Sequence, residues 1–133
     1  MDLTVHCLFH NYSDYECSAE TLIGVYLTKG DAETALLELI ARAEKLAAED
    51  MAFNQRFRDC HAKYAPVRSR TLHTTNLKKE DEATLEKYSD ELRAISDDQR
   101  AWRMENFGDD YSNIPDRSID NYSIEEIEVG KVR

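Results

Sequence analysis

The sequence is short of the residues that interrupt regular structure. Its 133 residues include four glycines and two prolines. Long unbroken elements are therefore expected, and a glycine-rich phosphate cradle is not: no P-loop, GxGxxG or GxSxG pattern occurs. The three cysteines, Cys7, Cys17 and Cys60, are an odd number without CxxC spacing. That argues against a disulfide framework and for a reducing compartment. No apolar run approaches the ~20 residues of a membrane span, and no signal-peptide pattern follows Met1. The expectation is a single cytoplasmic domain over 1–133 with no membrane attachment and a core of its own.

From Asp31 to Ala65 there is neither glycine nor proline. Ala32, Leu36, Leu39, Ala43, Leu46, Phe53, Phe57, Cys60 and Tyr64 recur at spacings that put them on one stripe of a helix. Asp50 interrupts the stripe, with Ala47 and Met51 beside it. Gly30-Asp31 supplies a start, and Pro66 is expected to supply the stop. Such a rod is about 50 Å long, more than a compact domain of this size spans, so it needs a partner along its length. Between Lys78 and Phe107 a second stripe runs through Leu85, Tyr88, Leu92, Ile95, Gln99, Trp102 and Asn106. Asn76 is the expected N-cap and Gly108 the stop, with Glu80, Asp81 and Glu82 favouring the positive end of the helix dipole. The two stripes predict an antiparallel helical hairpin of coiled-coil type over 31–107, with a basic loop at 66–78.

Strands are expected on either side. Leu3 to Tyr12 alternates, with Leu3, Val5, Cys7 and Phe9 as the core face. Glu20 to Thr28 reads as its hairpin partner, and Gly24 within it marks a bulge or a close approach. Asp109 to Asp120 reads as an acidic loop. Tyr122 to Val129 reads as a third strand, with an irregularity expected near Glu125-Glu126 because its apolar residues change face. The fold expected is α+β in the order β-β-α-α-β, a small three-stranded antiparallel sheet on a long helical hairpin. Strand order is left open, although pairing of the third strand beside the first would close the core.

The net charge of −10 favours solubility and disfavours direct nucleic-acid binding, but it is unevenly spread. Lys63, Arg68, Arg70, Lys78 and Lys79 crowd the hairpin tip, while Asp109, Asp110, Asp116, Glu125, Glu126 and Glu128 crowd the opposite end. Each cluster is a candidate partner-binding surface: the basic tip for phosphates or an acidic protein face, the acidic end for a groove that otherwise takes nucleic acid. Tyr15, Tyr111 and Tyr122 near the acidic end are candidate interface anchors.

Catalytic patterns are thin. His6 and His10 share a strand face but stand about 13 Å apart in an extended chain, and Cys7 points the other way. No CxxC pair exists. Cys60-His61 is an adjacent nucleophile and base, yet helix neighbours do not face each other, and Cys60 belongs to the apolar stripe. Asp109-Asp110 and Glu125-Glu126 form no EF-hand loop. The reading is a non-enzyme with no cofactor and no metal.

Both ends of the chain resemble a family of small, functionally uncharacterised phage and bacterial proteins. The residues that carry this are Val5-x-x-Leu8-x-His10-x-Tyr12-x-Asp14, then Glu20-x-Leu22-Ile23-Gly24-Val25-Tyr26-x-Thr28 and Ala32-x-x-Ala35-Leu36, and the closing Asn121 to Val129. Typical members join these ends by one short helix and a loop, whereas here about Ala47 to Ile119 departs from the pattern as an inserted helical arm. In size and genre the chain also resembles phage inhibitors of bacterial immunity such as anti-CRISPR proteins. The resemblance implies a binding protein that works in a host cytoplasm on a nucleic-acid-handling immune complex. Two alternatives stand beside it: a sponge for nucleotide signals that holds its ligand at the basic loop, and an assembly protein whose hairpin stripe pairs with another copy.

Overall fold

The computed structural model describes residues 3–13, 17–108 and 115–130. The element order is β1 (Leu3–Ser13), β2 (Ser18–Tyr26), α1 (Lys29–Thr71), α2 (Lys79–Phe107), a 3-10 turn (Ile119–Asn121) and β3 (Tyr122–Val129). The fold is α+β, as expected. It divides into two compact units, one of Met1–Leu46 with Pro115–Arg133 and one of Ala47–Ile114. Helix α1 runs through both.

In the sheet unit the strand order is β2-β1-β3, every pair antiparallel. The third strand thus lies beside the first. The β1–β2 ladder shifts register between Leu8, which faces Gly24, and Phe9, which faces Leu22. Ile23 is the extra residue, so the bulge falls beside Gly24. An ideal Cβ on Gly24 would lie 2.7 Å from the Tyr26 hydroxyl, so the absent side chain is what admits the Tyr26 ring. The β1–β3 ladder pairs without a shift from Leu3–Val129 to His10–Tyr122. The irregularity expected at Glu125-Glu126 is absent. β3 is an edge strand, so the change of face leaves Ile127 and Val129 38% and 47% exposed rather than forcing a bulge.

The core face of β1 also differs from expectation. Val5 and Cys7 are buried and Phe9 half-buried, but Leu3 is exposed, and Leu8 on the opposite face is fully buried. Simple alternation therefore does not describe β1. In the same unit Ala32, Leu36, Ala43 and Leu46 of α1 are buried. They are the first half of the stripe read from the sequence.

α1 begins earlier and ends later than expected. Thr28 Oγ1 accepts a hydrogen bond from the Asp31 N–H at 3.1 Å, so Thr28 is the residue that caps the first turn. Pro66 lies inside the helix, which continues to Thr71. A proline there cannot donate to the carbonyl of Ala62, at a cost of up to about 3 kcal/mol. Contacts beyond it hold the last turn in place: Arg68 stacks over the Tyr88 ring, Arg70 pairs with Asp81, and Thr71 Oγ1 donates to the Val67 carbonyl. The loop is therefore 72–78. Lys78, not Asn76, occupies the N-cap of α2 and makes no side-chain cap. The acidic first turn of Glu80, Asp81 and Glu82 faces the dipole instead. Gly108, at φ 62°, ends α2 as expected, its N–H bonded to the Met104 carbonyl.

In the helical unit Cys60, Tyr64 and Ile95 form the buried core, with Phe53, Phe57, Tyr88 and Leu92 packed against it. Every position named on the α2 stripe is buried or half-buried. Trp102 packs on Phe53 at 5.5 Å between ring centroids, and its indole N–H donates to Glu49 at 2.7 Å.

Candidate functional site

The strand order makes β3 one edge of the sheet, and its residues point alternately to the two faces. Glu125 stands across from Cys7, Glu126 from His6 and Glu128 from Thr4. All three glutamates are exposed. Among the described residues, no ion pair joins a cation to Glu125 or Glu126. The unshifted β1–β3 ladder fixes their spacing.

Asp116, predicted for the same surface, has another role. Its Oδ2 meets His10 Nε2 at 3.0 Å and accepts from Asn121 Nδ2 at 2.6 Å, while Oδ1 accepts from the Ser118 N–H at 3.0 Å. The Tyr122 hydroxyl donates to the Asp116 carbonyl at 2.6 Å, and the His10 and Tyr122 rings stand 5.0 Å apart. The His10 hydrogen bond, with those from Ser118 and Asn121, holds the Asp116 carboxyl below the usual range against the opposing effect of burial. Burial and then the Asp116 charge push the Tyr122 phenol up. Asp116 ties the chain entering β3 to the end of β1, and Tyr122 is half-buried in that knot instead of standing free as an anchor. Asp109, Asp110, Tyr111 and Tyr15 lie outside the described residues.

The basic tip is not a free cationic surface. Lys63 Nζ pairs with Glu91 at 2.9 Å, Arg68 lies 5.2 Å from the Tyr88 ring centroid, and Arg70 pairs with Asp81. Lys78 and Lys79 are exposed and take part in no such contact among the described residues. Farther along the hairpin, Arg56 pairs with Asp98 at 2.9 Å and Arg103 with Asp50 at 4.0 Å. The cations read as a candidate phosphate site largely serve to align α1 with α2.

Glu91 is the residue the sequence reading missed. It accepts from Lys63, from the Tyr64 hydroxyl at 2.8 Å and from the Cys60 thiol at 3.6 Å. The Lys63 and Tyr64 hydrogen bonds hold its carboxyl down, and Glu91 in turn raises Lys63. Burial first, then the hydrogen bond to Glu91, pushes the Cys60 thiol up, the opposite of what an activated nucleophile needs. His61 bonds to the Tyr88 hydroxyl instead of to Cys60. The signal that finds Glu91 is antiparallel register: once the turn is placed, each α1 residue meets one whose number falls as its own rises. A surface hollow of about 380 Å³ here is lined by Arg56, Cys60, Lys63, Glu91 and Ile95. Both of its cations are already paired with carboxylates.

No group of three or more potential metal ligands occurs among the described residues, and no helix of the described chain is long and apolar enough to cross a membrane. Comparison with protein-family models, with curated proteins and with solved structures finds no match to this chain.

Proposed function

We propose that this chain is a non-enzymatic binding protein that docks on a macromolecular partner through the acidic edge of its sheet. The observation that carries the reading is the row of Glu125, Glu126 and Glu128 on an edge strand of fixed register, exposed on both faces. The hairpin supplies contrast to Glu125 and Glu126, since its cations and carboxylates mostly satisfy each other. A fixed row of carboxylates suits a basic groove. Together with the likeness in size and genre to phage inhibitors of bacterial immunity, it supports a host nucleic-acid-handling immune complex as target, blocked sterically or electrostatically. The nucleotide-sponge alternative has less to stand on, because Lys78 and Lys79 alone remain of the basic tip.

The test is to express the tagged chain in a bacterium carrying defined defence systems and to identify what co-purifies. A stoichiometric defence subunit, lost at raised salt and lost in the Glu125→Lys/Glu126→Lys double variant, is the expected result. A partner retained by that variant removes the acidic edge from the mechanism. Absence of any defence subunit removes the target class.

A further inference from the structure

Glu49, Phe53 and Arg56 stand four and three positions apart on α1 and so share one face, with Ala52 beside them. Trp102 of α2 joins them, and these residues line a hollow of about 290 Å³. That is below the roughly 300–1,000 Å³ of sites for drug-sized ligands and suits a single small group. The indole is held at three points. Its N–H donates to Glu49 Oε2 at 2.7 Å, the Phe53 ring lies 5.5 Å away, and the Phe107 ring meets it edge-on at 5.7 Å. A side chain so fixed has little rotamer freedom left to lose when a ligand arrives. All of these residues belong to the helical unit and the acidic edge belongs to the sheet unit, so this site and the proposed function stand or fall separately.

The charges around the hollow do not cancel. Arg56 pairs with Asp98 at 2.9 Å, and Arg103 pairs with Asp50 at 4.0 Å. Among the described residues, no ion pair joins a cation to Glu49. Its donor, the indole N–H, is neutral and takes Oε2, so Oε1 remains an acceptor. One negative charge thus stands unmatched beside an indole, in a chain whose net charge of −10 also favours cations. We propose that this hollow binds an alkylguanidinium group, stacked on Trp102 and hydrogen-bonded to Glu49 Oε1. The face of an indole attracts a cation. A guanidinium is planar and weakly hydrated, so it stacks where a compact ammonium holds its water. Its N–H groups make charge-assisted hydrogen bonds to a carboxylate. The chain already makes one contact of this kind, since the Arg56 guanidinium lies over the Phe53 ring at 5.6 Å. An anion would meet the unmatched Glu49, and a neutral ring would leave that charge without a partner. The group can come from a free small guanidine or from an arginine side chain.

Trp102 is the single tryptophan of the chain, so its fluorescence reads this hollow directly. The whole chain is titrated with butylguanidinium and with its neutral isostere butylurea, and in parallel with acetyl-Gly-Arg-Gly amide and the same peptide carrying citrulline. The expected result is a saturable change with the guanidinium compounds, about tenfold or more tighter than with the neutral ones and weakened by salt. Glu49→Gln keeps an acceptor for the indole N–H and removes the charge, so it should erase that tenfold preference. Ala52→Met, at an exposed position, should fill the hollow and abolish binding with unchanged circular dichroism. Tighter binding of the arginine peptide than of butylguanidinium assigns the site to a protein side chain, and the reverse order to a free guanidine. No saturable change with either guanidinium compound overturns the proposal. So does an equal response to the neutral isosteres, or a preference that survives Glu49→Gln. If Glu49→Gln fails to fold, the isosteres and Ala52→Met decide.

Discussion

His10 and Asp116 meet at 3.0 Å although 106 positions separate them. The contact fastens the entry to β3 against the end of β1, and Asp116 adds bonds to Ser118 and Asn121 on its own side. Because the folded-state pKa of Asp116 is depressed, the stability it contributes is present above its unfolded value of about 3.9. That contribution is lost as pH falls through the folded value. Urea titrations between pH 7 and pH 2.5 should show stability declining below about pH 4. The part of the decline due to Asp116 should be missing in Asp116→Asn. At neutral pH, Asp116→Ala should cost about 1–2 kcal/mol.

Pro66 sits inside α1 with helix on both sides. Pro66→Ala restores the N–H and removes the ring, worth up to about 3 kcal/mol in a helix interior, while the looser unfolded chain takes back about 1 kcal/mol. The expected net gain is about 1–2 kcal/mol, read by denaturant midpoint at unchanged m-value. A neutral result would place the helix end at Ala65.

Ile95 is the buried α2 residue of the helical core, 7% exposed beside Cys60 and Tyr64. Ile95→Ala should cost about 2–4 kcal/mol through lost burial and the cavity left behind. The exposed pair Arg93–Asp90, 3.8 Å apart on one face of α2, serves as comparison: Arg93→Ala should cost under about 0.5 kcal/mol. Thermal melts followed by helix signal separate the two.

The three thiols should differ in reactivity. Cys17 is exposed, whereas Cys7 and Cys60 are buried. Cys60 is further disfavoured as a thiolate by burial and by Glu91. Titration of the native chain with an aromatic disulfide at pH 8 should show Cys17 reacting first, with the other two appearing on unfolding. Rapid modification of Cys60, located by peptide mass, would overturn that order.

The helical stripes were the most legible part of the sequence, because every position named on the two stripes is buried or half-buried, although Met51, expected to keep contact beside Asp50, is exposed. Periodicity reports burial on a helix directly. The helix ends were less legible: Thr28 and Lys78 replaced the expected start residues, and tertiary contacts carried α1 past Pro66. The strands of the sheet could be found but not their exposure, since Leu8 is fully buried although it lies off the face that alternation assigns to the core. Charge clusters were legible as composition only. Whether Lys63 or Arg70 faces solvent or a carboxylate depends on the register of the hairpin, and whether Asp116 is a surface acid or a fastener depends on where β3 returns.

The sheet closes only when β3 reaches β1, and Asn11 and Ser123, which bond across that seam, are 112 positions apart. The hairpin closes by contacts such as Arg70–Asp81, only 11 apart. Closing a short loop costs less entropy than closing a long one, and local contacts form sooner. During synthesis, then, α1 and α2 can zip while β1 still waits with one flank unpaired. Chains interrupted before β3 present that bare flank to any strand nearby, so the last-made strand of the sheet is also the one that covers it.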